Sequence, residues 1–431
     1  MIRAAKQKSL HARIVSGSLV LLTGSGLTMA INLGYNIVIA RYLGSRGFGQ
    51  ATAIYTLLVV LSALTLSFQI VSAKVIAQQP TAERKTAVYR YFHRVSWTCG
   101  LVVGVVLEIF QRPVADYLNL PNSGLIAMIA VGAMFYVPLG TRRGFIQGEC
   151  GFRDFAFNLT LEQAARFAGS YGLILAGGGL TAVIAANSAA ILISYFAIPI
   201  RLTGRLPNPL SRSDAARELT QAAVFFAGQM LICNCGIVLV KHYFQAQQAG
   251  LYAAVATVGR VIFSLSQAVV NTAFPLVAAT KAEERKDLRL IATCLVLVLG
   301  MGAGISLVLW LGPAAVWTHI LGRGFVDAGR YGISELMSLY AIATVIYSMA
   351  ALIITFEMAY KIANSSWLQL AFSGILIAAI CESHALLRGV ILVQLALMAV
   401  FFVLVSVPLL YSVFSEPEER LTGAALHAVH R

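Results

Sequence analysis

The chain has 431 residues, of which 58% are hydrophobic and only 12% charged. A soluble domain carries about 25% charged residues. A chain this apolar lacks the polar surface to coat a water-facing globule, which excludes a cytosolic enzyme, a secreted disulfide scaffold and a disordered regulator. The net charge of +14 suits either nucleic-acid binding or the basic loops that orient a membrane protein, and the positions of the basic residues decide between them.

The N-terminus carries Arg3, Lys6, Lys8 and Arg13 ahead of an apolar run. That run is too long for a signal-peptide core and lacks a clean small-residue cleavage site, so it reads as a retained membrane helix. A spanning helix needs about 20 mostly apolar residues. Twelve such runs follow one another, near 14–40, 49–73, 94–113, 123–147, 156–177, 179–201, 217–243, 249–277, 287–311, 334–358, 365–385 and 389–413. Strands are not required, because open sheets cannot sit in lipid and a barrel would alternate apolar and polar residues. The expected fold is therefore all-α and polytopic, with about twelve transmembrane helices in two bundles of six. The expected division is 1–201 for the first bundle, 202–216 for a cytoplasmic linker, 217–413 for the second bundle and 414–431 for a cytoplasmic tail.

With the N-terminus inside, 23 of the 32 basic residues fall on inner segments, seven on outer ones and two within helices. The bias predicts both termini in the cytoplasm. It also removes the nucleic-acid reading, since the charges are spread over many loops and form no stripe. The outer segment 312–333, with Trp317, Leu321, Phe325 and Tyr331, reads as a short interfacial helix bearing an aromatic belt.

An internal repeat is visible. Asn36-Ile-Val-Ile-Ala-Arg41 closes the first helix, and Gly236-Ile-Val-Leu-Val-Lys241 closes the seventh, 200 positions later. Each is followed by a short polar loop with a glycine, Gly49 or Gly250. Six helices repeated in one orientation make a parallel repeat about an axis along the membrane normal, an architecture of alternating-access transporters. Gly100-xxx-Gly104, Gly144-xxx-Gly148 and the glycines of 300–304 read as small-residue packing faces.

No hydrolase, transferase or nucleotide-binding constellation occurs, and neither the six cysteines nor the scattered histidines form a metal motif, so neither a catalytic residue, a metal nor a cofactor is expected. The informative residues are charges inside helices, because a charge at the bilayer centre costs at least about 2.5–3.5 kcal/mol and usually faces a cavity or a partner. Arg260, near the middle of the eighth helix, reads as an anion contact in a water-filled cavity, with bonding to backbone carbonyls as the alternative. Arg166 has Glu162 four residues before it, a spacing at which the two can pair. That pair is either structural or part of the cavity. Arg41 and Lys241 occupy equivalent repeat positions and suggest a cationic mouth, although snorkelling explains each singly. Asn36, Asn234 and Asn271, among other helix-embedded amides, are candidates for sugar binding or for interhelical bonds. Two glycosylation sequons, at Asn158 and Asn364, fall at inner helix ends and carry no weight.

The segment Arg41-Tyr-Leu-Gly-Ser-Arg-Gly-Phe-Gly49 resembles the loop that opens the polysaccharide transporter family. This is the O-antigen and exopolysaccharide flippase branch of the multidrug/oligosaccharidyl-lipid/polysaccharide superfamily. Arg143-Gly-Phe-Ile-Gln-Gly-Glu-Cys-Gly-Phe152 and Ile320-Leu-Gly-Arg-Gly-Phe325 fit its glycine-aromatic turns. The resemblance implies a flippase that moves an undecaprenyl-pyrophosphate oligosaccharide across a bacterial inner membrane, and is not an enzyme. Its implied partners are the lipid-linked oligosaccharide, membrane lipid and a polysaccharide polymerase or export complex. A pyrophosphate needs cations within the membrane, which Arg260 and Arg166 would supply. The alternatives are a drug/cation antiporter of the same superfamily, which wants an acid in its cavity, and a membrane-embedded glycosyltransferase or polymerase, which wants a large outer loop.

Overall fold

The computed structural model describes residues 2–204, 211–279, 288–325, 332–360 and 365–429. The described residues hold thirteen α-helices, one 3-10 turn and no strand. In chain order the helices are α1 (Ile2–Ala77), α2 (Ala82–Ile109), α3 (Gln111–Tyr117), α4 (Gly124–Gly148), α5 (Phe152–Leu175), α6 (Gly179–Phe196) and α7 (Arg212–Tyr243). They continue as α8 (Ala246–Ala279), α9 (Leu288–Leu311), α10 (Ala314–Leu321), α11 (Ile333–Tyr360), α12 (Ser366–Glu382) and α13 (Leu387–Val429).

Nine helices among the described residues are long and apolar enough to cross a membrane. The count differs from the expected twelve for identifiable reasons. The 55 described residues from Thr23 to Ala77 form one continuous element but hold two of the expected spans. The element breaks at Gly44, with φ 65° and ψ −178°, a region open essentially to glycine alone. The two arms fold back on each other there. Tyr35 and Tyr55 would lie about 30 Å apart along a straight helix, yet both rings reach the Arg166 guanidinium, at 4.6 and 4.5 Å. α5 is made less apolar by Asn158, Glu162, Gln163 and Arg166 along its length, and α12 is a shorter apolar helix of 17 residues. With these, all twelve expected spans have a helix.

Two short helices complete the set. α10 is a short helix within 312–333, where one was expected, whereas α3 has no counterpart in the sequence reading. The aromatic-belt reading of the outer segment needs correction at Phe325. That ring is 1% exposed and packs edge-on against Phe48 at 5.8 Å. Tyr331 lies outside the described residues.

By contact the chain divides into two units, Met1–Thr257 with Pro313–Ile333, and Val258–Gly312 with Ser334–Arg431. In the first unit, both arms of α1 lie in a bundle with α4, α5, α6 and α7. One apolar cluster joins Ile54 and Leu58 of α1 to Ile126 and Ile129 of α4 and Ile184 and Ile191 of α6. A second joins Phe68 and Val75 of α1 to Val88 and Phe92 of α2 and Phe145 of α4. Close approach of α1 and α4 depends on a glycine stripe. A Cβ placed on Gly140 would stand 2.2 Å from the Thr65 carbonyl oxygen, and one on Gly144 would stand 2.1 Å from Ser72 Oγ. Gly100 and Gly104 of α2 meet Met134 of α4 in the same way.

In the second unit, Gly302 is the glycine of the 300–304 group that meets a neighbour, 2.2 Å from Val345 Cγ2 if given a Cβ, while Gly300 and Gly304 face open space. Phe263, Tyr347, Phe401 and Phe372 form a chain of ring contacts that links α8, α11, α13 and α12. Outward faces carry side chains such as Val102, Val105 and Val106 on α2 and Val296, Val308 and Trp310 on α9. So much exposed apolar surface suits lipid as the surrounding solvent.

Candidate functional site

The first unit encloses a polar cluster built on α5. Asn158, Glu162, Arg166 and Ser170 are all buried. Their four-residue spacing puts them on one helical face. That face points into the bundle, so a helix with four polar groups in an apolar setting must satisfy them against α1, α4 and α6.

Glu162 does so against α4. Its Oε2 accepts a hydrogen bond from Arg143 Nη2 at 2.5 Å, and the two side chains are 9% and 5% exposed. Arg143 Nε also donates to Asn158 Oδ1 at 2.8 Å, and Asn158 Nδ2 donates to the Ser194 carbonyl of α6 at 2.8 Å. This corrects one expectation: the ion pair of Glu162 is with Arg143 and not with Arg166. Arg143 lies in the last turns of α4, within the expected span 123–147. Its neighbour Arg142 is held too, donating to the Ile198 carbonyl at 2.5 Å with its guanidinium 4.4 Å from the Tyr195 ring.

Arg166 is 2% exposed. Its Nη2 donates to Asn32 Oδ1 at 2.6 Å and to Gln163 Oε1. The guanidinium lies over the rings of Tyr35 and Tyr55, a cation–π arrangement that offsets part of its desolvation. Nε and Nη1 are buried without a hydrogen-bond partner among the described residues. A buried donor left unmet costs about 1–3 kcal/mol, more on a charged group. Asn36 joins the cluster indirectly, donating to the Asn32 carbonyl at 2.7 Å. Tyr35 Oη donates to Asn187 Oδ1 of α6 at 3.3 Å.

The other predicted residues stand elsewhere. Arg41 Nε donates to the Ile320 carbonyl at 2.9 Å, and its Nη2 to the His319 carbonyl. These are free carbonyls of the last turn of α10, where a cation also meets the favourable end of the helix dipole. Lys241 is 2% exposed and donates to the Asn119 carbonyl at 3.3 Å, just past α3. Asn119 returns a bond to the His242 carbonyl at 3.2 Å, and His242 stacks on Tyr117 at 3.9 Å. Each repeat cation thus holds the end of a short helix that follows the third span of the other half. The repeat glycines also touch: a Cβ on Gly49 would stand 2.9 Å from Gly250 Cα, and one on Gly250 would stand 1.9 Å from the Ser45 carbonyl oxygen.

Asn234 is buried and donates to the Met230 carbonyl one turn back, at 2.8 Å. Arg260, in the second unit, is half-buried on α8, and its carbonyl accepts from Ser264 Oγ at 2.8 Å. The Asn271 side chain lies outside the described residues.

The structure therefore brings Arg166, Glu162 and Asn36 into one cluster. Arg143, Tyr35, Tyr55 and Asn158 were missed as members of it. The period-four polar stripe of α5 was the available signal for Asn158. For the tyrosines no linear signal existed, since they come together only through the break at Gly44.

The described helices make the fold of a membrane transporter, and solved structures share it. An inward-facing MATE-family multidrug resistance transporter of the MOP superfamily is 11% identical, with TM-score 0.67 over 90% of this chain and 96% of that one. The MATE multidrug transporter DinF-BH is 16% identical, with TM-score 0.66 over 93% and 95%. A MOP superfamily transporter from Pyrococcus furiosus, described as having a binding pocket of reversed polarity, is 10% identical, with TM-score 0.56 over 90% and 93%. A search of curated proteins found no match. The polysaccharide biosynthesis protein family model matches residues 14–281, and the chain belongs to that family.

Proposed function

We propose that this protein is a flippase that carries a lipid-linked oligosaccharide of the undecaprenyl-pyrophosphate class from the inner to the outer leaflet of a bacterial cytoplasmic membrane. Both termini lie inside, and transport proceeds by alternating access. The observation that carries the reading is Arg166, a buried guanidinium with two unmet donors and no acid of its own. Glu162, the acid nearest along α5, is bonded to Arg143. The charged groups of the cluster, Arg143, Glu162 and Arg166, therefore leave one net positive charge, the sign needed for a phosphate headgroup. Movement of the Tyr35 or Tyr55 ring would bring Nε and Nη1 to the entering anion, while the lipid tail stays in the bilayer. An inside-negative potential favours outward movement of an anion by about 2.3 kcal/mol per charge per 100 mV. A cation antiporter fits less well, because the one buried acid of this cluster is neutralised. Arg260 enters the proposal as a second, separate anion contact.

The test is binding of undecaprenyl pyrophosphate to the purified full chain in detergent, followed by native mass spectrometry, with undecaprenol as the uncharged comparison. Arg166→Gln is expected to weaken pyrophosphate binding by at least about tenfold, the loss of a charge-assisted contact, while still accumulating in the membrane. Arg260→Gln is measured beside it. Wild-type binding by Arg166→Gln, or equal binding of undecaprenol, overturns the reading.

A further inference from the structure

We infer that Arg143 is a positioning residue: by holding Glu162, it keeps that carboxylate off Arg166 and leaves the Arg166 guanidinium available to an anion. The inference rests on the reading of Arg166 as the anion contact.

Glu162 and Arg166 stand four residues apart on α5, where a carboxylate and a guanidinium ordinarily pair. Here they do not. Glu162 reaches α4 instead, and Arg143 meets it at 2.5 Å. Arg143 is itself aimed from behind. Its Nε is fixed by Asn158 Oδ1 at 2.8 Å, and Asn158 is anchored on the Ser194 carbonyl at 2.8 Å. Three helices thus fix which arginine the acid takes. The titratable groups facing the cluster are Arg143, Glu162, Arg166 and the tyrosines Tyr35, Tyr55 and Tyr136. Arg166 is therefore the only other cation among the described members of the cluster.

The consequence follows from the cost of burying an unpaired charge. Without Arg143, the carboxylate of Glu162 is left buried with Arg166 one turn away. Nε and Nη1 of Arg166 are unmet, and a carboxylate can accept a charge-assisted bond from either one. With Arg143 gone the two remaining charges cancel, and a rotamer change at Glu162 would pair its carboxylate with one of these donors. Arg143 thus preserves the anion site by occupying its internal competitor.

The experiment measures binding of undecaprenyl pyrophosphate to the purified full chain in detergent for Arg143→Gln, Glu162→Gln, the double variant and Arg166→Gln. Arg143→Gln is expected to lose at least about tenfold in affinity. Arg143→Gln with Glu162→Gln is expected to recover most of that loss, because no carboxylate remains to capture Arg166. A merely structural ion pair predicts the opposite, since the double variant lacks the pair as well. Wild-type affinity in Arg143→Gln, or no recovery in the double variant, overturns the inference. If Arg143→Gln does not accumulate, Glu162→Gln decides: it is expected to bind at least as tightly as wild type, and a tenfold loss overturns the inference. Arg166→Gln separates the two readings. If it alone loses binding, the anion site stands without Arg143; if it binds like wild type, the site itself falls.

Discussion

Replacing Gly140 by alanine adds a single methyl at the tightest backbone contact between α1 and α4. The new Cβ would stand 2.2 Å from the Thr65 carbonyl oxygen, against 3.4 Å for ordinary contact. The oxygen belongs to helical backbone and cannot rotate away, so the helices must separate locally by about 1.2 Å, the difference of those two distances. The same separation loosens Gly144 from Ser72 and Gly148 from Ala73, and it strains both apolar clusters that join α1 to α4. Overpacking of this kind costs about 1–3 kcal/mol, and in lipid the lost close packing is not replaced by a hydrophobic gain elsewhere. The assay is thermal unfolding of the purified protein in detergent, read as the fraction left monodisperse after heating. A drop of several degrees is expected. Gly300→Ala is the comparison, since a Cβ there meets nothing within 4 Å and no loss is expected. Equal melting of Gly140→Ala and wild type would refute the claim that this glycine sets the α1–α4 distance.

Two other substitutions test the frame around the site. Gly44→Ala meets no neighbour within 4 Å, so its whole effect is backbone strain at φ 65°; a destabilisation of about 1–3 kcal/mol is expected by the same melting assay, and none would mean that the turn between the two arms relaxes freely. Lys241→Met removes the bond to the Asn119 carbonyl; hydrogen exchange across Gln111–Asn119 is expected to quicken, and unchanged exchange would show that the stack of Tyr117 on His242 suffices to hold α3.

The twelve spans were legible because lipid imposes a length and a polarity on every crossing. α5 shows the limit of that signal. Its apolar run was read correctly as a span, but pairing Glu162 with Arg166 assumed that neighbours on a helix are partners. Arg143 was closer in space, and the charge count took it only as an orienting inner charge although the span 123–147 contained it. Asn158 was dismissed as a sequon, although its spacing from Glu162 and Arg166 marked it as a member of the same face. The repeat of Arg41 and Lys241 was visible in the sequence, but what each side chain holds was not. Their acceptors are backbone carbonyls, which have no signature in residue identity.

The amino-acid sequence by itself determined that this is a helical membrane protein of about twelve spans, with cations set within apolar helices. Both conclusions follow from transfer costs, which depend on each segment alone. The tertiary structure decided which cation is left without an acid. That depends on three helices meeting at one carboxylate, and on a glycine at position 44 that folds the first element back so that Tyr35 and Tyr55 cover the same guanidinium. Partnership between charges is a property of distance in space, and four residues along a helix are only one of the ways to be near.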